Sequence, residues 1–301
     1  MKIALRDKTY NYYSKNNEPN IIVKPGEDFF AQTELCSGSW LKSLDTVWAR
    51  EKENGCNPTI CVKIEGAKPG DMIAVRILDI LVEEVGYTGI EGITFPNPQN
   101  VEPGEWPSDI WIVAIKDKMI KWNSKLDIPV SPIIGTIGTA PVEAVNNGVT
   151  GAHGGNLDIN DVTIGTTVYL PVYVNGAMLH VGDVHAIQGD GEISGWGLEC
   201  RSLLRLRVDI IKKPDSMQYV RMENEDYIMG AACCDTFRES FYKAAREVLF
   251  WMVEEYGFSM SEAYTLMGLL LESKIGGAGV PTITYCCKMP KKYLIHPTPG
   301  R

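Results

Sequence analysis

The run Gly182-Asp183-Val184-His185 sets a carboxylate and an imidazole two residues apart. Three of the four histidines of the chain, His153, His180 and His185, fall between Ile134 and Cys200. Side chains of a strand alternate faces, so Asp183 and His185 share one with Ala177, Leu179, Val181 and Ile187. A carboxylate on an otherwise apolar face must be paired, hydrogen-bonded or bound to an ion. An Asp-x-His pair on one strand is a two-ligand clip suited to zinc or a similar divalent ion. A hydrogen-bonded Asp–His pair in a core gives the same pattern.

The same residue types recur in Gly151-Ala152-His153-Gly154-Gly155-Asn156-Leu157-Asp158, where His153 and Asp158 lie on a glycine-rich turn whose backbone can approach a ligand closely. Two such clusters in one turn-rich apolar region point to a shared site. Glu192 follows the turn Gly189-Asp190-Gly191. A carboxylate there can act as general base on water or as proton donor to a leaving group. An exposed acid at a strand end accounts for its position equally well. His180 faces away from Asp183 and reads as structural or surface, and His296 as part of the tail.

These residues sit among short strands punctuated by Gly, Pro and Asn. Ile60, Val62 and Ile64 alternate with polar neighbours, the stretch 66–71 makes a turn, and 72–80 is a second apolar run, together a hairpin pattern. Runs 110–115 and 118–122 flank Lys116-Asp117 as another. Thr167 to Val174 is a strand with Pro171 at an edge or bulge. Asn175-Gly176 is a hairpin signal, and 177–188 runs back. The prolines between Thr94 and Pro107 predict a loop lying over a site or a subunit contact. Helix is confined to the C-terminal third. Phe237, Phe241, Ala244, Ala245, Val248, Met252 and Tyr256 recur on one helical face, with Asp235 as N-cap. Ser259-Met260-Ser261-Glu262 has the capping-box form and opens a second helix through about Ser273. The glycines 276–279 end that helix as a turn, and 280–288 is a final strand.

The formal net charge of -9 and the absence of a basic run argue against nucleic acid as a partner. No apolar stretch reaches the roughly 20 residues that span a bilayer, and the N-terminus has no apolar signal region, so a soluble, cytoplasmic protein is expected. The eight cysteines include the adjacent pairs Cys233-Cys234 and Cys286-Cys287 and no C-x-x-C, which reads as reduced, mostly buried thiols.

The blocks Ile134-Gly135-Thr136-Ile137-Gly138-Thr139-Ala140-Pro141, His153-Gly154-Gly155-Asn156-Leu157-Asp158, Tyr169-Leu170-Pro171-Val172 and Gly182-Asp183-Val184-His185-Ala186 with Gly189-Asp190-Gly191-Glu192 closely resemble, in order and spacing, the acetamidase/formamidase family. The stretch 65–71 matches an N-terminal family block. The resemblance implies a cytoplasmic amidohydrolase of small aliphatic amides that forms a homodimer or larger homo-oligomer. It implies a mainly β, jelly-roll-like sandwich core over residues 1–212 and an added α+β part over 213–301. It also implies a divalent metal, zinc or calcium, with His153, Asp158, Asp183, His185 and Glu199 as ligand candidates and Glu192 as catalytic acid/base. Where the family commonly has Asp near the N-terminus this chain has Glu34, a candidate extra site acid.

The expectation is therefore metal-assisted hydrolysis of a short amide to ammonia and a carboxylate, with metal-bound hydroxide as nucleophile. Backbone N–H groups near Gly154, Gly155 and Asn156 would hold the developing oxyanion. Three rivals stand beside it. A cysteine-nucleophile amidase lacks a recognisable Cys-Glu-Lys motif here. A jelly-roll small-molecule-binding protein with a structural ion would show no turnover. A cupin-like oxygenase expects H-x-H, where this chain has Asp183.

Overall fold

The computed structural model describes residues 1–48, 57–90, 109–278 and 282–294. The proline-rich loop expected between 94 and 107, Cys56, Gly279 and His296 lie outside them. The N-terminal half contributes β1 (Lys2–Ala4), β2 (Tyr12–Tyr13), β3 (Ile21–Val23), β4 (Asp28–Thr33), β5 (Thr59–Ile64), β6 (Asp71–Ile90), β7 (Asp109–Lys116), β8 (Met119–Asn123) and β9 (Leu126–Pro129). The centre contributes β10 (Ile133–Thr139), β11 (Val145–Asn146), β12 (Gly154–Asn156), β13 (Thr167–Pro171), β14 (Leu179–His185) and β15 (Glu199–Lys212). The C-terminal part holds β16 (Val220–Glu223), β17 (Tyr227–Cys234), helices α1 (Phe237–Tyr256) and α2 (Met260–Leu270), β18 (Glu272–Ile275) and β19 (Ile283–Pro290). The fold is mainly β with a C-terminal α+β part.

Two layers enclose the main core. In one, β10 pairs with β12 and β14, β14 passes on to β5, and β5 to β3. In the other, β15 lies between β4 and β6, β13 pairs with β6, and β16 with β13. Ile60 and Val62 of β5, Ile137 of β10 and Val181 of β14 share one apolar cluster with Val75 and Ile77 of β6 and Leu204 and Leu206 of β15. Each such side chain contributes about 1.5–3 kcal/mol when fully buried. The layers join where β14 meets β15 at the single pair His185↔Glu199, which brings the Asp-x-His strand end to a second acid.

Two expected hairpins are connections between layers instead. β5 pairs with β14 and β3, and β6 with β15, β13 and β7, while β13 and β14 likewise share no ladder. The two turns bond to each other, Gly70 N–H to Val172 O at 3.0 Å and Gly176 N–H to Ala67 O at 2.8 Å. Each strand therefore leaves its turn into a different layer. Pro171 lies past the end of the β13–β16 ladder and pairs only towards β6, so its missing N–H breaks no bond on the other side. The β7–β8 hairpin forms as expected, with Asp117 and Lys118 both at positive φ, as a type I′ turn requires.

α1 packs Ala244, Val248 and Met252 against Ile228 and Ala232 of β17 and Cys287 and Met289 of β19, with Ala263 and Met267 of α2 in the same cluster. Thr236, not Asp235, caps α1. Its extended backbone lets the side chain accept from Glu239 N–H. Ser259 caps α2 as expected by accepting from Glu262 N–H. α2 ends at Leu270 rather than near Ser273, because 272–275 pairs with β19 as β18. The pairing of β16 with β13 carries the sheet across residue 212 into the C-terminal part. No described helix is long and apolar enough to cross a membrane.

Candidate active site

Three site acids stand on left-handed backbone: Asp158 at φ +49°, Asp183 at +55° and Glu192 at +47°. Non-glycine residues there cost about 1–3 kcal/mol and are held only where surrounding structure over-determines them. In β14 the consequence is visible. Leu179 and Val181 point into the main core, but after Asp183 it is Val184 and Ala186 that do, so the strand's parity inverts at Asp183. The period-two expectation of one continuous face is corrected by that single residue. The backbone opposite makes room, since a Cβ on Gly135 would lie 2.6 Å from Asp158 Oδ1 and 2.9 Å from Asp183 Oδ2.

His185 is the hub. Its Nε2 lies 3.1 Å from Glu199 Oε1, 3.3 Å from Asp183 Oδ1 and 3.9 Å from Glu192 Oε1. Asp158, His185 and Glu192 each offer a ligand atom within 4.8 Å of the others, and so do Cys36, Asp183 and Glu199. Asp158 Oδ1 and Glu199 Oε2 are buried with no hydrogen-bond partner among the described residues. Around them the polar side chains are engaged. Thr136 Oγ1 donates to Asn156 Oδ1 at 2.6 Å and Asn57 Nδ2 donates to Asp183 Oδ2 at 3.1 Å. Asn156 Nδ2 donates to Asp158 Oδ2 at 2.6 Å.

The crowding of acids shows in their proton affinities. Burial, then Glu192 and Asp183, holds the Asp158 carboxyl well above the usual carboxylate range. Burial pushes Glu192 up to about 8 against the opposing pull of His185. Glu199 is raised by burial and by Asp183, again opposed by His185. Burial alone would lower the imidazole of His185, but Glu199 and Asp183 override it and hold it well above its ordinary value. Perturbed groups of this kind mark functional sites more often than structural ones.

The structure thus brings together Asp158, Asp183, His185, Glu192 and Glu199 of the residues singled out in the sequence. His153 belongs to neither donor group; its ring lies 5.0 Å from that of Tyr13, its Nε2 has no partner among the described residues, and its pKa is lowered to about 4 by burial. His180 also packs against Tyr13, ring centroids 4.9 Å apart, fully buried, with Nδ1 2.7 Å from Thr59 Oγ1. Glu34 is ion-paired with Arg201 and accepts from Ser39 Oγ at 3.0 Å and from Leu35 N–H, so both of its oxygens are already engaged. Asn156 supports Asp158 rather than standing free, and the Gly154 N–H expected in an oxyanion hole already donates to Gly151 O at 3.1 Å.

Cys36, Asn57, Thr136 and Gln188 join the site without having been singled out. Nothing local marks Cys36, Asn57 or Thr136, which reach it through strand pairing and loop packing from distant stretches of chain, whereas Gln188 lies three residues after His185 in the same segment. The thiol of Cys36 is driven well above its ordinary value by burial, then by Glu199 and Asp183, which favours the neutral thiol and disfavours a nucleophile.

The family model described as the Acetamidase/Formamidase family matches residues 136–294, more than half of the chain and all of the acids around His185. The chain belongs to that family. Among relatives of this family member, the acetamidase of Mycolicibacterium smegmatis is 30% identical over 50% of this chain and 52% of its own length. The formamidase of Methylophilus methylotrophus is 27% identical over 64% of this chain and 61% of its own. The chain therefore matches between half and two thirds of the length of these curated relatives. The crystal structure of a predicted acetamidase/formamidase from Thermoanaerobacter tengcongensis superposes with a TM-score of 0.87 at 29% identity, covering 98% of both chains.

Proposed function

We propose that this chain hydrolyses a short aliphatic amide, of the formamide or acetamide type, to ammonia and the carboxylate, with a divalent cation held at the His185 cluster. The observation that carries this reading is the pair of unpartnered buried oxygens, Asp158 Oδ1 and Glu199 Oε2, among four acids that share one imidazole. A single imidazolium does not balance Asp158, Asp183, Glu192 and Glu199, and burying uncompensated carboxylates is costly. The donor set of one imidazole, one thiol and several carboxylates suits zinc, and its oxygen-rich side also suits calcium. Two groups of donors would be available to hold it, Asp158, His185 and Glu192 in one and Cys36, Asp183 and Glu199 in the other.

When bound, such a cation supplies Lewis acidity and lowers the pKa of a coordinated water towards about 7. The protein's own groups do the rest. Glu192, whose side chain at 13% exposed is the most open of the four acids, takes a proton from the attacking water and returns it to the leaving nitrogen. An amide ion cannot depart without that proton. Thr136, Asn57 and Asn156 keep Asp183 and Asp158 from rotating away, so the acids are in place before substrate arrives. The test is ammonia release from formamide, acetamide and longer linear amides, with ring opening of a lactam to its amino acid followed alongside. Turnover of the short linear amides supports the reading, and no ammonia from any of them overturns it.

A further inference from the structure

Gln188 has no part in the chemistry above, yet its buried side chain touches two of the acid-bearing segments. Its Oε1 lies 2.7 Å from His185 Nδ1, and its Nε2 donates to the backbone carbonyl of Asp158 at 2.6 Å. The second contact dictates the first. A carbonyl oxygen only accepts, so the amide nitrogen must face Asp158 and the amide oxygen must face the imidazole. That oxygen in turn accepts only from N–H, which places a proton on Nδ1 of His185. In the neutral ring the lone pair is then on Nε2, the nitrogen turned towards Glu199, Asp183 and Glu192. A Cβ on Gly197 would lie 2.5 Å from His185 Nδ1, so the ring is pressed against a bare glycine on that edge and has little freedom to turn.

We propose that Gln188 is a positioning residue that locks His185 with its proton on Nδ1, leaving Nε2 to bind the cation, and that ties this ring to the Asp158 segment. This rests on the reading of the cluster as a cation site. One side chain thereby fixes two candidate ligands that arrive on different stretches of chain, His185 at the end of β14 and Asp158 just after β12. Its loss releases both at once. Partners of this kind typically change metal affinity by about 10–100-fold.

The test compares wild type with Gln188→Met, which keeps the volume and loses both hydrogen bonds. It also includes Gln188→Glu, which keeps an acceptor for Nδ1 and loses the donor to Asp158. Zinc affinity is measured by equilibrium dialysis, the His185 tautomer by nitrogen-15 NMR of the zinc-loaded protein and of the metal-free protein titrated to a neutral ring, and folding by the urea midpoint. The expected result is a Nδ1-protonated ring in wild type and zinc affinity about 10–100-fold weaker in Gln188→Met, with partial recovery in Gln188→Glu. A wild-type ring protonated on Nε2, or wild-type zinc affinity and tautomer in Gln188→Met, would overturn the assignment. If wild type binds no divalent cation, the cation reading fails on its own, and the metal-free tautomer still decides what Gln188 does.

Discussion

Glu247 in α1 and Asp158 after β12 are both buried carboxylates, and their surroundings differ in kind. Glu247 accepts from Arg221 Nε at 2.8 Å, from Arg246 Nη1 at 3.1 Å and from the backbone N–H of Gln218 and Tyr219 at 3.0 and 3.3 Å. Both of its oxygens are matched by protein donors, and Arg221 stacks on Trp251, so helix and sheet are joined by a closed set of bonds. Asp158 is ringed by Asp183, Glu192 and Glu199 with one imidazole among them, and one of its oxygens has no partner among the described residues. The first cluster is complete as protein. The second leaves a buried oxygen unmatched by any described protein donor, and the cation proposed above is what would match it.

The comparison can be broken at either end. The largest effect is expected at Glu192→Gln, which keeps shape and removes the proton-transfer group. Ammonia release should fall about 10²–10⁴-fold with the urea midpoint little changed. Wild-type turnover in that variant would remove Glu192 from the chemistry. Next comes Glu247→Ala, which leaves the buried Arg221 with only the partly exposed Glu254 as counter-charge and should cost about 3 kcal/mol in urea unfolding while turnover per folded molecule is retained. A loss of turnover in the molecules that remain folded would mean the two clusters are not separate. The smallest and most discriminating is Asp158→Asn. In chelated protein, relief of like-charge crowding should raise stability by about 1 kcal/mol. With zinc present the sign should reverse, because a candidate ligand has been removed. Destabilisation of the chelated variant would show that Asp158 is satisfied without a cation.

Much of this site is legible in the sequence because its acids sit on short, turn-bounded segments whose spacing carries information. Asp183 and His185 stand out by lying two apart on a strand, and Asp158 and Glu192 by following glycine turns, but those patterns also fit a core hydrogen bond and an exposed acid, and Glu199 comes only from the family resemblance. The helices are legible for a similar reason, periodicity and capping being local. What stays hidden is set by long-range pairing. Cys36 enters from the loop after β4, Thr136 from β10 and Asn57 from just before β5, and no local pattern says that these segments meet. The turns at 66–71 and 175–176 are plain in the sequence, but turn chemistry fixes where a chain reverses and not which layer the next strand joins. The face of β14 is misread for one reason: an Asp in left-handed backbone inverts the alternation, and nothing in the residue type announces it.

The most direct measurement is metal content by elemental analysis alongside ammonia release from formamide and acetamide, before chelation, after it, and after zinc is restored. A cation-dependent site predicts bound divalent metal in the purified protein, turnover lost with the metal and regained with zinc. Full turnover from protein exhaustively stripped of divalent metal would contradict it.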